Sequence, residues 1–256
     1  MTIALSRNSA RLSAMLAAIT LAACGGGGDG GSSTGPKAEG AYSGTLTGGA
    51  SSAFQLLVLE NDEYWALYGT SAGNTFFVSG FIQGTGASNN GSFSSSNARD
   101  FGVVPAASGS VSATYVANTS IQGTVTAAGQ SVSFSGPVIP STTFNYSTAA
   151  SVAAVEGSWN LTSLDGSSTT LTIASTGAFT GSSAGCNFSG TFTPRASGKN
   201  VFNVALTFGA APCALPGQPG TGIAVTNILA GTTTQQLIVA GVNSARTAGT
   251  ALFGTR

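Results

Sequence analysis

The chain has no histidine, and only 6% of its residues are charged. The first absence removes the commonest general base and proton shuttle. It leaves the abundant serines without a Ser-His arrangement. The two lysines offer no substitute. Lys37 adjoins a glycine-rich stretch and Lys199 falls in an expected hairpin turn, so neither lies in an apolar run that would depress its pKa. Scarce charge also means no basic field to attract nucleic acid. No Gly-rich segment ends in the Gly-Lys-Ser/Thr of a phosphate loop. With three cysteines and no histidine, zinc lacks ligands. No cofactor, no metal and no catalytic residue is expected, and the chain reads as a non-enzyme.

What is present begins at the amino terminus. Arg7 and Arg11 precede a short apolar run from Leu12 to Ala23. That run falls short of the roughly 20 apolar residues a membrane-spanning helix requires, and it fits a cleaved export signal. It ends in Leu21-Ala22-Ala23-Cys24, which resembles the lipobox of bacterial lipoproteins. The resemblance implies cleavage before Cys24, diacylglycerol on its sulfur and an acyl chain such as palmitate on its amino group. Several acyl chains together anchor durably. Gly25 follows the cysteine instead of Asp, which in that family implies export to the outer membrane of a Gram-negative cell, facing the periplasm or the exterior. Loss of Arg7 and Arg11 leaves six basic against eight acidic residues, a net charge of −2. Gly25 to Gly35 then reads as a flexible tether with a reach of about 20 Å.

The remainder is a succession of short alternating segments. Phe202, Val204, Leu206 and Phe208 share one face, with Asn203, Ala205 and Thr207 between them; Val111, Ala113 and Tyr115 alternate with Ser112 and Thr114. Period two marks half-buried antiparallel strands. Asn89-Asn90-Gly91, Asp165-Gly166 and Ser197-Gly198 supply the positive φ that tight hairpins need. The order of features repeats. Ala38-Glu39-Gly40-Ala41-Tyr42 returns as Val155-Glu156-Gly157-Ser158-Trp159, and Val78-Ser79-Gly80 returns as Phe188-Ser189-Gly190, at offsets of 117 and 110. The expected fold is all-β, with two tandem small antiparallel β-barrel or barrel-like domains after the signal and tether. The expected divisions are a signal over 1–23, lipidated Cys24 and tether over 24–37, a first β domain over 38–147, a linker over 148–155 and a second β domain over 156–256. The linker suits either a turn of helix or a strand. Strands of about 5–8 residues fall short of the 9–11 that a transmembrane barrel needs.

Cys186 and Cys213 form an even pair in an oxidising compartment, and a disulfide is the expected state. Glu60-Asn61-Asp62-Glu63 gathers acids that suit either a solvated hairpin tip or a hard cation. Tyr64 and Tyr68 share one face of a strand and Trp65 takes the other. One set is core, and the other is a candidate ligand-binding patch for a protein or glycan.

Trp159-Asn160-Leu161, Gly185-Cys186-Asn187-Phe188-Ser189-Gly190 and Ala211-Pro212-Cys213 together resemble the META or HslJ-like domain of envelope lipoproteins. The likeness covers about residues 155–215. It implies a compact β-rich envelope domain without established catalytic residues, and a Cys186–Cys213 bridge. The chain departs from that family at Ala214 to Gly220, a helix-breaking loop where the family has a helix. The tandem layout also resembles surface lipoproteins that capture host proteins, of the transferrin-binding and factor-H-binding types. The function expected is a non-catalytic binding or envelope-maintenance module, held to the membrane through its lipid. A lipocalin-like carrier of an apolar ligand is the alternative, and a carboxylate-dependent hydrolase a further one.

Overall fold

The computed structural model describes residues 35–72, 75–229 and 231–256. The expected signal, Cys24 and most of the tether lie outside these residues.

Two antiparallel barrels follow one another. The first is built from β1 (Gly40–Thr47), β2 (Ala53–Val58), β3 (Glu63–Ala72), β4 (Thr75–Thr85), β5 (Ala87–Asn89), β6 (Ser92–Asp100), β7 (Ala107–Val116), β8 (Ser120–Ala127) and β9 (Gln130–Pro137). Neighbours in sequence pair as hairpins, except β4 and β5. β1 meets β9 through Thr45 and Ser135, and β4 meets β6 through Ile82 and Asp100. These two pairings close eight strands into a ring, with short β5 as a flap on β6. A connecting segment contains a 3-10 turn over Val152–Ala154, the helical option for the linker. The second barrel comprises β10 (Gly157–Ser163), β11 (Ser168–Ile173), β12 (Ala178–Ser183), β13 (Cys186–Pro194), β14 (Phe202–Phe208), β15 (Pro219–Ile228), β16 (Gln235–Asn243) and β17 (Gly249–Thr255). It closes where β10 pairs with β17.

The repeat is structural as well as sequential. Tyr42 donates its hydroxyl to the carbonyl of Ala38 at 3.0 Å, and Trp159 donates its indole N–H to the carbonyl of Val155 at 2.8 Å. Both are buried aromatics at the start of a first strand, bonding back four residues. Val78-Ser79-Gly80 and Phe188-Ser189-Gly190 likewise fall on the fourth strand of their barrels.

Several strands exceed the expected length: β3, β7 and β15 have ten residues and β4 has eleven. Their outward faces still differ from those of a transmembrane barrel, which turns its apolar side to lipid. Ser112 and Thr114 on β7, Ser133 and Ser135 on β9, and Thr170 and Thr172 on β11 point out to solvent.

Outward apolar residues do occur, on β2–β4 and on β15–β17, and there the barrels cover each other. Leu57, Leu67 and Phe81 of the first pack in one cluster with Ile223, Ala240 and Val242 of the second. Phe81 stacks between Trp65 and Phe101, with centroids at 6.0 and 4.7 Å. Arg195 joins Glu60 at 2.8 Å and Lys199 joins Glu39 at 3.4 Å across this seam. Arg246 donates to the carbonyls of Gln83 and Asn97 at 2.7 and 2.8 Å.

The acidic turn is therefore a junction and not a solvated tip. Glu60 holds Arg195, and Asp62 accepts from the hydroxyl of Ser88 at 2.6 Å and lies 3.8 Å from the Lys37 ammonium. Among the described residues no group of three His, Cys, Asp or Glu side chains is arranged to hold a metal.

Candidate ligand cavity

The two barrels share a topology but differ inside. In the second, Phe179, Phe192 and Phe202 meet edge to face at 5.1 and 5.9 Å, and Phe188 adds a fourth ring. Trp159, Leu161 and Leu237 complete a filled core. The first barrel spends its aromatics on the wall and leaves a cavity of about 430 Å³. Phe54, Leu56, Ile82, Phe93 and Phe134 surround it, with smaller Ala66, Val111 and Val125 between them. A volume of that size falls within the range of small-molecule pockets, and an apolar lining with few polar groups is their usual character.

One end of the barrel is stoppered. Pro36 to Ala38 cross it, held by Tyr115, which donates to the carbonyl of Pro36 at 2.7 Å. Tyr42 fixes Ala38 from inside, and the Ala38 amide donates to Ser88 at 3.0 Å. Tyr64 reaches Ser95 at 3.0 Å near the same end. Tyr42 and Tyr64 stay neutral because burial raises their pKa; for Tyr42 burial, then Tyr115 and Glu39, push it up to about 12. For Tyr64 burial outweighs the opposing effects of Ser95 and Arg246.

The other end is the mouth. The β1–β2 loop at Gly49 to Ser51 and the β8–β9 turn at Ala127 and Gln130 border it. The β3–β4 hairpin and the β6–β7 loop lie at the same end of the ring. They carry Phe77, 55% exposed, and Val104, 99% exposed. Tyr68 stands near this end and donates to Asp100 at 2.6 Å. Burial raises its pKa, and the Asp100 carboxylate raises it further through the hydrogen bond and its charge. Room for the phenol comes from glycine: a Cβ on Gly80 would lie 2.4 Å from the Tyr68 oxygen, and one on Gly102 1.9 Å.

Of the residues singled out from sequence, Tyr64 and Tyr68 line the cavity together, as their shared parity requires. Trp65 does not join them and is not an exposed patch. It is 5% exposed, packed on Phe81 in the seam, and donates to Glu63 at 2.9 Å. The correction has a plain cause: the outward face of β3 is covered by the second barrel. Cys186 and Cys213 are joined by a disulfide, which ties the loop after β14 to the start of β13. Asp100 was not anticipated. Its signal was available, since it is the single carboxylate near the end of a Ser-rich alternating strand, in phase with Phe93 and Ala98 once the register shift at Ser95 is counted.

No family model and no curated protein matches the chain. Among solved structures, a protein of unknown function from the DUF3598 family of Nostoc punctiforme is 14% identical. That match covers 85% of this chain and 94% of the other, with a TM-score of 0.25. Isotype 1 transferrin-binding protein B from serogroup B Neisseria meningitidis is 11% identical over 85% of this chain and 43% of its own, with a TM-score of 0.26.

Proposed function

We propose that this chain is a non-catalytic binding module of the bacterial envelope, anchored in the outer membrane through lipidated Cys24, whose first barrel carries a small apolar molecule. One observation carries the reading: of two barrels with the same strand order, one is filled by side chains and the other encloses about 430 Å³ of apolar space. Natural cores rarely leave voids much larger than a water molecule. An apolar void of this size costs stability that packing would otherwise supply, and a ligand restores those contacts. The exposed Phe77 and Val104 at the mouth end give an apolar molecule a surface to meet before entry. The second barrel, filled and stapled by its disulfide, serves as the brace on which the hollow one is held.

The test uses the full chain carrying Cys24→Ser, purified without detergent. N-phenyl-1-naphthylamine should bind saturably, one per chain, with enhanced emission. Val132→Trp, which adds a ring at an inward position near the mouth, should weaken that binding at least tenfold with the circular dichroism unchanged. Absence of saturable binding by the parent chain would refute the carrier reading. The anchor is read separately: palmitate fed to cells should label the natural chain and leave Cys24→Ser unlabelled.

A further inference from the structure

The cavity is not uniformly apolar along its axis. Phe93 and Ile121 lie toward the stoppered end, and Asp100 lies at the last residue of β6, opposite Ala107 of β7 and Ile82 of β4. It is the one charged side chain among the described residues that line the cavity. One carboxylate oxygen accepts from Tyr68 at 2.6 Å and from the amide of Gly102 at 2.9 Å. No protein donor reaches the second oxygen among the described residues. Neighbouring Arg99 does not neutralise the group, because it turns to the outer face and donates to Ser108 at 2.6 Å.

A merely structural tie between β3 and β6 needs only a neutral acceptor for the Tyr68 hydroxyl, and an asparagine would serve. A carboxylate adds a negative charge beside an apolar space, and that choice sorts ligands by charge. The seat is built tightly: Gly80 and Gly102 let the phenol press against Asp100, which directs the spent oxygen at the tyrosine and leaves the other for a ligand.

Resting on the reading of this cavity as a ligand site, we infer that the first barrel selects a cationic amphiphile, an aliphatic chain ending in a protonated amine. The ammonium sits at the mouth on the free oxygen of Asp100, and the chain extends inward toward Phe93 and Ile121. At about 30 Å³ per water-sized heavy atom, the cavity admits on the order of 14 heavy atoms. That matches a chain of about ten to twelve carbons with its head group. An ammonium gains a charge-assisted hydrogen bond, which is roughly twice as strong as a neutral one. A carboxylate head brings a like charge to the same place and is repelled.

The experiment compares decylamine, decanol and decanoate as competitors for bound N-phenyl-1-naphthylamine on the full chain carrying Cys24→Ser. The amine should compete at least tenfold more tightly than the alcohol, and the decanoate at least tenfold less tightly. Asp100→Asn keeps an acceptor for Tyr68 and removes the charge. It should bring amine and alcohol to within about twofold of each other. If decanol binds but the amine gains nothing, or decanoate binds best, the head-group inference is overturned and the cavity reading stands. If none of the three competes, the cavity reading itself fails. An amine preference that survives Asp100→Asn also overturns the inference. Should that variant misfold, the ranking of the three heads on the parent chain decides alone.

Discussion

Gly249, at the start of β17, brings the second barrel against the aromatic stack of the first. A Cβ there would lie 2.8 Å from the tip of Phe81, 2.9 Å from Phe101 and 3.0 Å from the carbonyl of Gly241. Ordinary contact begins near 3.4 Å. Phe81 cannot retreat easily, because it is stacked on Phe101 at 4.7 Å on one side and Trp65 at 6.0 Å on the other. Gly249→Ala therefore overpacks the seam, a change that costs about 1–3 kcal/mol. At about 2–4 °C per kcal/mol for a unit of this size, the Tm should fall by about 2–12 °C. The size of the loss is the informative part. If the barrels were not docked, the methyl would meet only the Gly241 carbonyl, a contact within the second barrel, and a gain of about 0.4–1 kcal/mol from the stiffer unfolded chain would offset it. Calorimetry of the full chain gives the shift, and Trp65 in the seam and Trp159 in the second core give fluorescence reporters for the two regions. Phe81→Leu shortens the ring that the new methyl strikes. Combined with Gly249→Ala it should recover about 1 kcal/mol relative to the sum of the single changes. Additivity within about 0.5 kcal/mol, or a Tm that does not fall, would refute the docked arrangement.

The seam should also weaken in acid. Burial opposes ionisation of Glu60, but the Arg195 hydrogen bond and charge, a backbone amide and Ser197 outweigh it, so its carboxyl lies below the ordinary 4.5. A depressed carboxylate stabilises above its unfolded pKa, and that stability is lost as pH falls through the lower folded value. Arg195→Met should move the acid-unfolding midpoint, followed by circular dichroism, to higher pH; an unmoved midpoint would show that the pair contributes nothing. The disulfide encloses a separation of 27 residues, which corresponds to about 3–4 kcal/mol of loop-closure entropy. Reduction should destabilise the second barrel by that order in urea, and alkylation without reductant should find no thiol at Cys186 or Cys213. Labelling of either in the unreduced chain would count against the bridge.

Much of the architecture is legible in local patterns. Alternation such as Val111-Ser112-Ala113-Thr114-Tyr115 states which side chains face in, whatever lies across the barrel. Asn90-Gly91 and Asp165-Gly166 state where the chain turns. The Tyr42 and Trp159 blocks announce the repeat, and parity alone puts Tyr64 with Tyr68. The junction role of Glu60 to Glu63 was less legible, because Arg195 is 135 positions away and no local period links them.

The fate of outward faces was partly written in the chain. Leu56-Leu57-Val58 and Ile238-Val239-Ala240 are apolar at successive positions, which means burial on both sides of the sheet. Which surface covers them is a matter of three-dimensional docking, and so the burial of Trp65 had to come from the structure.

The sequence by itself determined strands, turns, the duplication and an even pair of cysteines, because each depends on neighbours a few residues apart or on simple counting. Only the tertiary structure decided that the first barrel is hollow and the second filled. That difference is a sum of side-chain volumes across eight strands, and Phe179, Phe192 and Phe202 fill a centre that Ala66, Val111 and Val125 leave open. The same closure carried Asp100 from the end of a Ser-rich strand to the mouth of an apolar cavity, where a single charge acquires a chemical meaning.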